Sequence, residues 1–206
     1  MSNLVLKCTY LKNGKEFEEE KALSEGITTI EEGAFYDDWD LIRIIIPEGV
    51  TSIKKDAFFG CIHLKSVSIP NTVKTIGHSA FYACRSLESI ELPEGLTSIE
   101  SGSWTGCAGL TTVTIPEGVT QIGLGAFSGC LNLTNITLPE SIVAIDNYAF
   151  GTCINLPNIT IPASAKLIKT GAFQQCEKLV SATILSKKTI IEKDAFDENV
   201  EIVYAA

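Results

Sequence analysis

The stretch Pro116–Leu138 reads PEGVTQIGLGAFSGCLNLTNITL, and its recurrence decides the fold. Steps of 23 residues from Ala126 land on Ala149, Ala172 and Ala195 ahead, and on Ser103, Ala80, Ala57 and Ala34 behind. No insertion or deletion breaks the count. A fixed period of this length marks a stacked array, in which one unit cannot bury its apolar side alone and each neighbour supplies the missing surface.

Eight units follow one another, 24–46, 47–69, 70–92, 93–115, 116–138, 139–161, 162–184 and 185–206, and six of them open with Pro. Ile136 and Leu138 lie two apart, the period of a short strand with both side chains on one face. Pro139 then ends the strand, because it lacks the N–H a ladder needs. Gly118, after Pro116-Glu117, suits a tight turn. Val119 and Ile122 are the next apolar pair. Ala126, Cys130 and Leu133 follow at a helical spacing, which predicts a short helix or 3₁₀ turn over Gly125–Cys130, closed by Gly129.

Residues 1–23 do not match the unit. Leu4, Leu6 and Cys8 alternate with Val5, Lys7 and Thr9, a strand pattern. Asn13-Gly14 is a strong hairpin turn, and Phe17 falls on the returning strand. This segment is expected to form an N-terminal, hairpin-like cap over the first coil. The eighth unit has Leu185 for Pro and Asn199 for Cys, as a closing cap would.

Written as L-x-x-[VI]-x-[IL]-P-E-G-V-T-x-I-x-x-x-A-F-x-G-C, the unit resembles the BspA-type leucine-rich repeat of bacterial surface antigens and some protozoan proteins. The resemblance covers residues 24–206. It implies an α/β repeat solenoid: a right-handed superhelix of eight coils, with a parallel β-sheet on one side and short helical or 3₁₀ turns on the other. It also implies a non-enzymatic module for adhesion or protein binding, at the cell surface or secreted.

Composition narrows the partners. The formal net charge is −9, with 16 Lys and Arg against 25 Asp and Glu. That disfavours nucleic acid, whose phosphates draw on clustered cations, and anionic membrane surfaces. No apolar run approaches the ~20 residues of a membrane span. The start, Met1 to Lys7, is not a signal peptide, so the chain as written is expected in the cytoplasm. Of seven cysteines, Cys61, Cys84, Cys107, Cys130, Cys153 and Cys176 recur at the repeat and only Cys8 stands outside. Even spacing reads as reduced core packing, although adjacent thiols ~4.8 Å apart could meet.

The candidate contact residues lie where side chains point away from the core. Arg43, Ser66, Ser89, Thr112, Asn135, Asn158 and Ser181 form one outward row of the strand face, and Ile45, Ser68, Glu91, Thr114, Thr137, Thr160 and Thr183 the other. These short polar groups read as a shallow strip for a protein or a glycan. The first unit departs most: Phe35-Tyr36-Asp37-Asp38-Trp39-Asp40, then Arg43, sets aromatics beside acids, the chemistry of contact hot spots. The binding set is therefore Tyr36, Trp39, Asp40 and Arg43 with the strand-face residues from Ser66 to Thr160. Glu48, Glu94, Glu117 and Glu140 form a ladder at the turn after the strand. His63 and His78 occupy unlike positions, and no nucleophile, metalloprotease, phosphate-loop or dinucleotide motif occurs. No enzyme, cofactor or metal site is expected. The alternative to a binding module is a structural solenoid that associates with itself.

Overall fold

The computed structural model describes residues 4–24 and 26–205; residues 1–3 of the expected cap, with the start of the signal-peptide reading, and Glu25 and Ala206 of the repeats lie outside the described residues. The chain is a β-solenoid of about eight turns. Two antiparallel strands, β1 (Val5–Lys12) and β2 (Lys15–Ala22), precede the coils. Their turn holds Asn13 and Gly14 at φ 52° and 73°, the left-handed pair such a hairpin requires.

Each coil then presents three sides. The strand face carries β4 (Leu41–Ile45), β6 (Ser66–Ser68), β9 (Thr112–Thr114), β11 (Asn135–Thr137), β13 (Asn158–Ile161), β15 (Ser181–Ile184) and β17 (Glu201–Tyr204). A second wall, not foreseen from the Val119/Ile122 pair, carries two-residue strands: β3 (Thr29–Ile30), β5 (Ser52–Ile53), β7 (Thr75–Ile76), β8 (Ser98–Ile99), β10 (Gln121–Ile122), β12 (Ala144–Ile145), β14 (Leu167–Ile168) and β16 (Ile190–Ile191). Neighbouring coils pair in parallel, as in Asn135↔Thr112 and Gln121↔Ser98. The hairpin joins the strand face through β1, which runs antiparallel to β4 with Lys7 opposite Ile45 and Thr9 opposite Arg43.

The third side corrects the expected helix: among the described residues there is none, α or 3₁₀. The Ala-Phe segment is a chain of turns. In the fifth unit Gly125, Phe127 and Gly129 donate their N–H groups to Asn147, Ala149 and Gly151 of the next coil, at 2.7–2.9 Å. The alternate residues Ala126, Ser128 and Cys130 donate within their own coil to Gly123, Gly125 and Phe127, at 3.0–3.2 Å. A helix would spend every amide inside the coil. The alternation is set by left-handed residues four apart, here Gly125 (φ 59°) and Gly129 (φ 71°), which no right-handed helix accommodates.

The core is a set of columns. Phe35, Phe58, Phe81, Trp104, Phe127, Phe150, Phe173 and Phe196 stack with centroids 4.9–5.8 Å apart. At the first coil Lys21 Nζ lies 4.9 Å over the Phe35 ring. All seven cysteines are buried and unbridged. Each repeat thiol donates to the carbonyl oxygen of the aromatic residue one coil back, as Cys84 to Phe58 at 3.2 Å and Cys130 to Trp104 at 3.3 Å. Burial pushes Cys176 up to about 12 and Cys84, Cys130 and Cys153 well above the usual range. They are packing groups with a hydrogen-bond direction, not nucleophiles.

Candidate functional site

Strand pairing explains how the outward residues line up. Residues paired across a sheet share a face, so the β1–β4–β6 register puts Thr9, Arg43 and Ser66 in one row and Lys7, Ile45 and Ser68 in the other. The β1–β2 register extends both rows by Glu18, opposite Thr9, and Glu20, opposite Lys7. Sequence reading stopped at Arg43 and Ile45 because the hairpin falls outside the repeat. The signal that could have found the rest is the same period-2 pattern in residues 4–9, carried across an assumed pairing.

These rows line a groove of about 500 Å³ running from Glu18–Glu20, past Lys7, Thr9, Arg43 and Ile45, to Ser66, Ser68, Ser89 and Glu91. Its walls carry acids at both ends and cations between them. None of the ion pairs among the described residues involves Lys7, Arg43 or Glu91; those present are Lys55 with Glu32 and Asp56, and Lys169 with Asp146. Ile45, 51 % exposed, is the apolar patch of the floor.

Of the other expected residues, Asn135, Thr137, Asn158 and Thr160 line a second depression of about 320 Å³ with Glu140 and Leu185. Thr112 and Thr114 lie on β9, between the two hollows and lining neither. Ser89 and Glu91 belong to no strand: the expected ladder breaks at the third unit. The structure also separates the first-unit cluster. Tyr36 and Trp39 are exposed, at 53 % and 57 %, but neither lines the groove. Tyr36 instead heads an outer column, Tyr36–Phe59–Tyr82, with centroids 4.9 and 4.7 Å apart. The Asp40 carbonyl accepts the Leu11 N–H at 2.8 Å and so ties the hairpin to the first coil. The Trp39 carbonyl lies 2.8 Å from Nδ1 of His63. Asp38 stands where later units have Cys, and burial raises its carboxyl above the ordinary range.

Among the described residues no group of three His, Cys, Asp or Glu side chains is placed to hold a metal ion. No helix among them is long and apolar enough to cross a membrane.

The repeat, the coil and the columns together define a leucine-rich repeat array. The family model for the BspA type leucine rich repeat region, in six copies, matches residues 28–130 and 74–203, and the chain belongs to that family. Among solved structures, the chain is similar to the leucine-rich repeat protein of T. pallidum, at 32 % identity over 79 % of this chain and 73 % of that one, with a TM-score of 0.66. It is also similar to a leucine rich cell surface protein of Faecalibacterium prausnitzii A2-165, at 25 % identity over 96 % of this chain and 68 % of that one, TM-score 0.59. A leucine-rich repeat protein of Bacteroides ovatus shares the fold at 21 % identity and a TM-score of 0.63, and this chain, 96 % of it aligned, spans 62 % of that one. No curated protein matches the chain.

Proposed function

We propose that this chain is a non-enzymatic protein-binding module whose contact site is the groove between the hairpin and the third coil. The observation that carries the reading is the groove's lining. Arg43, Lys7 and Glu91 make no ion pair with the described residues around a partly apolar floor, so a partner can supply the missing charges. Charge pairing of this kind sets partner choice and association rate more than raw affinity. The surface-protein name of the F. prausnitzii neighbour is in keeping with such a role. A protein suits the site better than a glycan, since the groove is lined by charged and short polar side chains around Ile45 and holds no aromatic ring on which a sugar could stack.

Photo-crosslinking from Ser68 tests this, with exposed Val180 as the comparison position. A partner should be captured from Ser68 and not from Val180. Its affinity should fall about tenfold or more, ~1.4 kcal/mol, in Arg43→Glu. Equal capture from both positions, or an unchanged affinity in Arg43→Glu and Glu91→Lys together, overturns the reading.

Two features favour second readings. Exposed Tyr36 and Trp39, beside Asp40, form a further contact surface on another side of the first coil; Tyr36→Ala with Trp39→Ala would then cost affinity where Arg43→Glu does not. Self-association is the alternative role. It is favoured by the last described coil, where Ile190 and Tyr204 are exposed and the column position of Phe196 is only partly buried.

A further inference from the structure

Among the described residues the junction between the third and fourth coils is the one that lacks ladder pairing on two of its three sides; the fifth and sixth coils lack it on the strand face alone, where β11 and β13 are not joined. On the second wall the ladder runs β3-β5-β7 and, separately, β16-β14-β12-β10-β8, so that among the described residues β7 and β8 are not joined. On the strand face, Ser89–Leu92 forms no strand with β6 behind it or β9 ahead. The turn side stays whole: Ser79, Phe81 and Ala83 donate to Ser101, Ser103 and Thr105 at 2.7–3.1 Å. The other amide bonds that cross this junction are Gly109 N–H to the Arg85 carbonyl at 2.8 Å, a long bond from Thr111 to Glu88 at 3.4 Å, and, at the turn after the strand face, Glu94 N–H to Oδ1 of Asn71 at 3.1 Å.

A substitution of the repeat and an altered backbone conformation sit at this junction. Trp104 takes the Phe position, and its gap to Phe81 is 5.8 Å, the widest in the column, where the phenyl pairs span 4.9–5.5 Å. Its indole Nε1 is fully buried and has no hydrogen-bond partner. Gly95 does not take the positive φ of its equivalents Gly49 (99°) and Gly118 (96°), and the Lys74 side chain lies across it.

We infer that the solenoid has a hinge line here, wedged open by Trp104 and held on the turn side, which divides it into a block ending at Leu92 and a block starting at Pro93. A larger ring in a column whose other members are phenyls pushes two coils apart. The loss falls on the two walls, where ladder bonds need a fixed coil spacing of ~4.8 Å. The groove lies within the first block and ends at this line. Its far wall, Ser89 and Glu91, belongs to the segment paired on neither side, so the distance from Arg43 to Glu91 is adjustable while Arg43 itself stays fixed in the β1–β4–β6 sheet.

Amide hydrogen exchange on the whole chain tests the hinge line without any partner. The amides of Ser89–Leu92, Thr97 and Glu100 should exchange at least tenfold faster than their equivalents one coil on, Thr112–Ile115, Thr120 and Gly123. Trp104→Phe, and separately Trp104→Leu, should shrink that difference at least threefold, because both remove the wedge. Equal protection in the unaltered chain overturns the hinge. Fast exchange that persists in either folded variant overturns Trp104 as its cause.

Discussion

At the scale of single residues, the left-handed positions carry the turn side and expose its cost. The residue before each repeat Ala has positive φ in all eight units, and the residue three after it in seven. Glycine takes this conformation freely, whereas a side chain costs roughly 1–2 kcal/mol. Several units use other residues, and Thr152 (φ 60°) is the least suited, being β-branched. Thr152→Gly is therefore expected to stabilise the chain by about 1 kcal/mol, less the exposed hydrogen bond from Thr152 to Gln175. Gly129→Ala should destabilise by about 1–2 kcal/mol from φ alone, because an added Cβ would meet nothing closer than Gly106 at 3.7 Å. Denaturant unfolding measures both.

Asp38 is the second residue with a stated cost. Burial lifts its carboxyl most, Asp40 adds to the rise, and Lys21 and the backbone amides of Leu41 and Asp40 oppose it. A raised folded value means the folded chain holds the proton more tightly than the unfolded one. Stability then declines as pH rises from about 4 through the raised value, and stays lower above it. Asp38→Asn should raise the melting temperature at pH 7 and have little effect near pH 3. A difference that is the same at both pH values would show that the charge is not the cause.

At the scale of elements, the strand face and the hairpin were legible because each follows from one rule. Period 2 in Ile136 and Leu138 placed β11, and Asn13-Gly14 placed the hairpin turn. The helix was misread because Ala126, Cys130 and Leu133 have helical spacing in sequence while the backbone between them reverses at Gly125 and Gly129. Spacing reports which side chains share the core, and several backbone paths satisfy it. The two-residue strands of the second wall escaped notice because so short an element leaves no period. The groove was half legible. Its Arg43–Glu91 side follows from the repeat. Its Lys7–Glu20 side depends on β1 pairing antiparallel with β4, a register that local sequence does not encode.

At the scale of the whole molecule, stability is shared between neighbours and no coil is the nucleus of a single globule. Excision of Pro116–Leu138 joins Ile115 to Pro139, an Ile-Pro junction like the one between Ile46 and Pro47. The shortened chain should fold, with the same circular dichroism per residue and a denaturant m-value lower by roughly one part in eight, since m scales with the surface exposed on unfolding. Removing only residues 116–126 takes out half a coil and puts every column out of register, and should give no cooperative transition. A half-coil deletion that folds as well as the whole-coil one would overturn the column account.

The unbroken count also bears on heredity. A unit of constant length is a whole number of codons, so misaligned recombination between two units of one gene adds or removes a complete coil without a frameshift or a scar. The groove draws on the hairpin and the first three coils only. A whole coil gained or lost beyond them changes the length of the array and alters no residue of that groove.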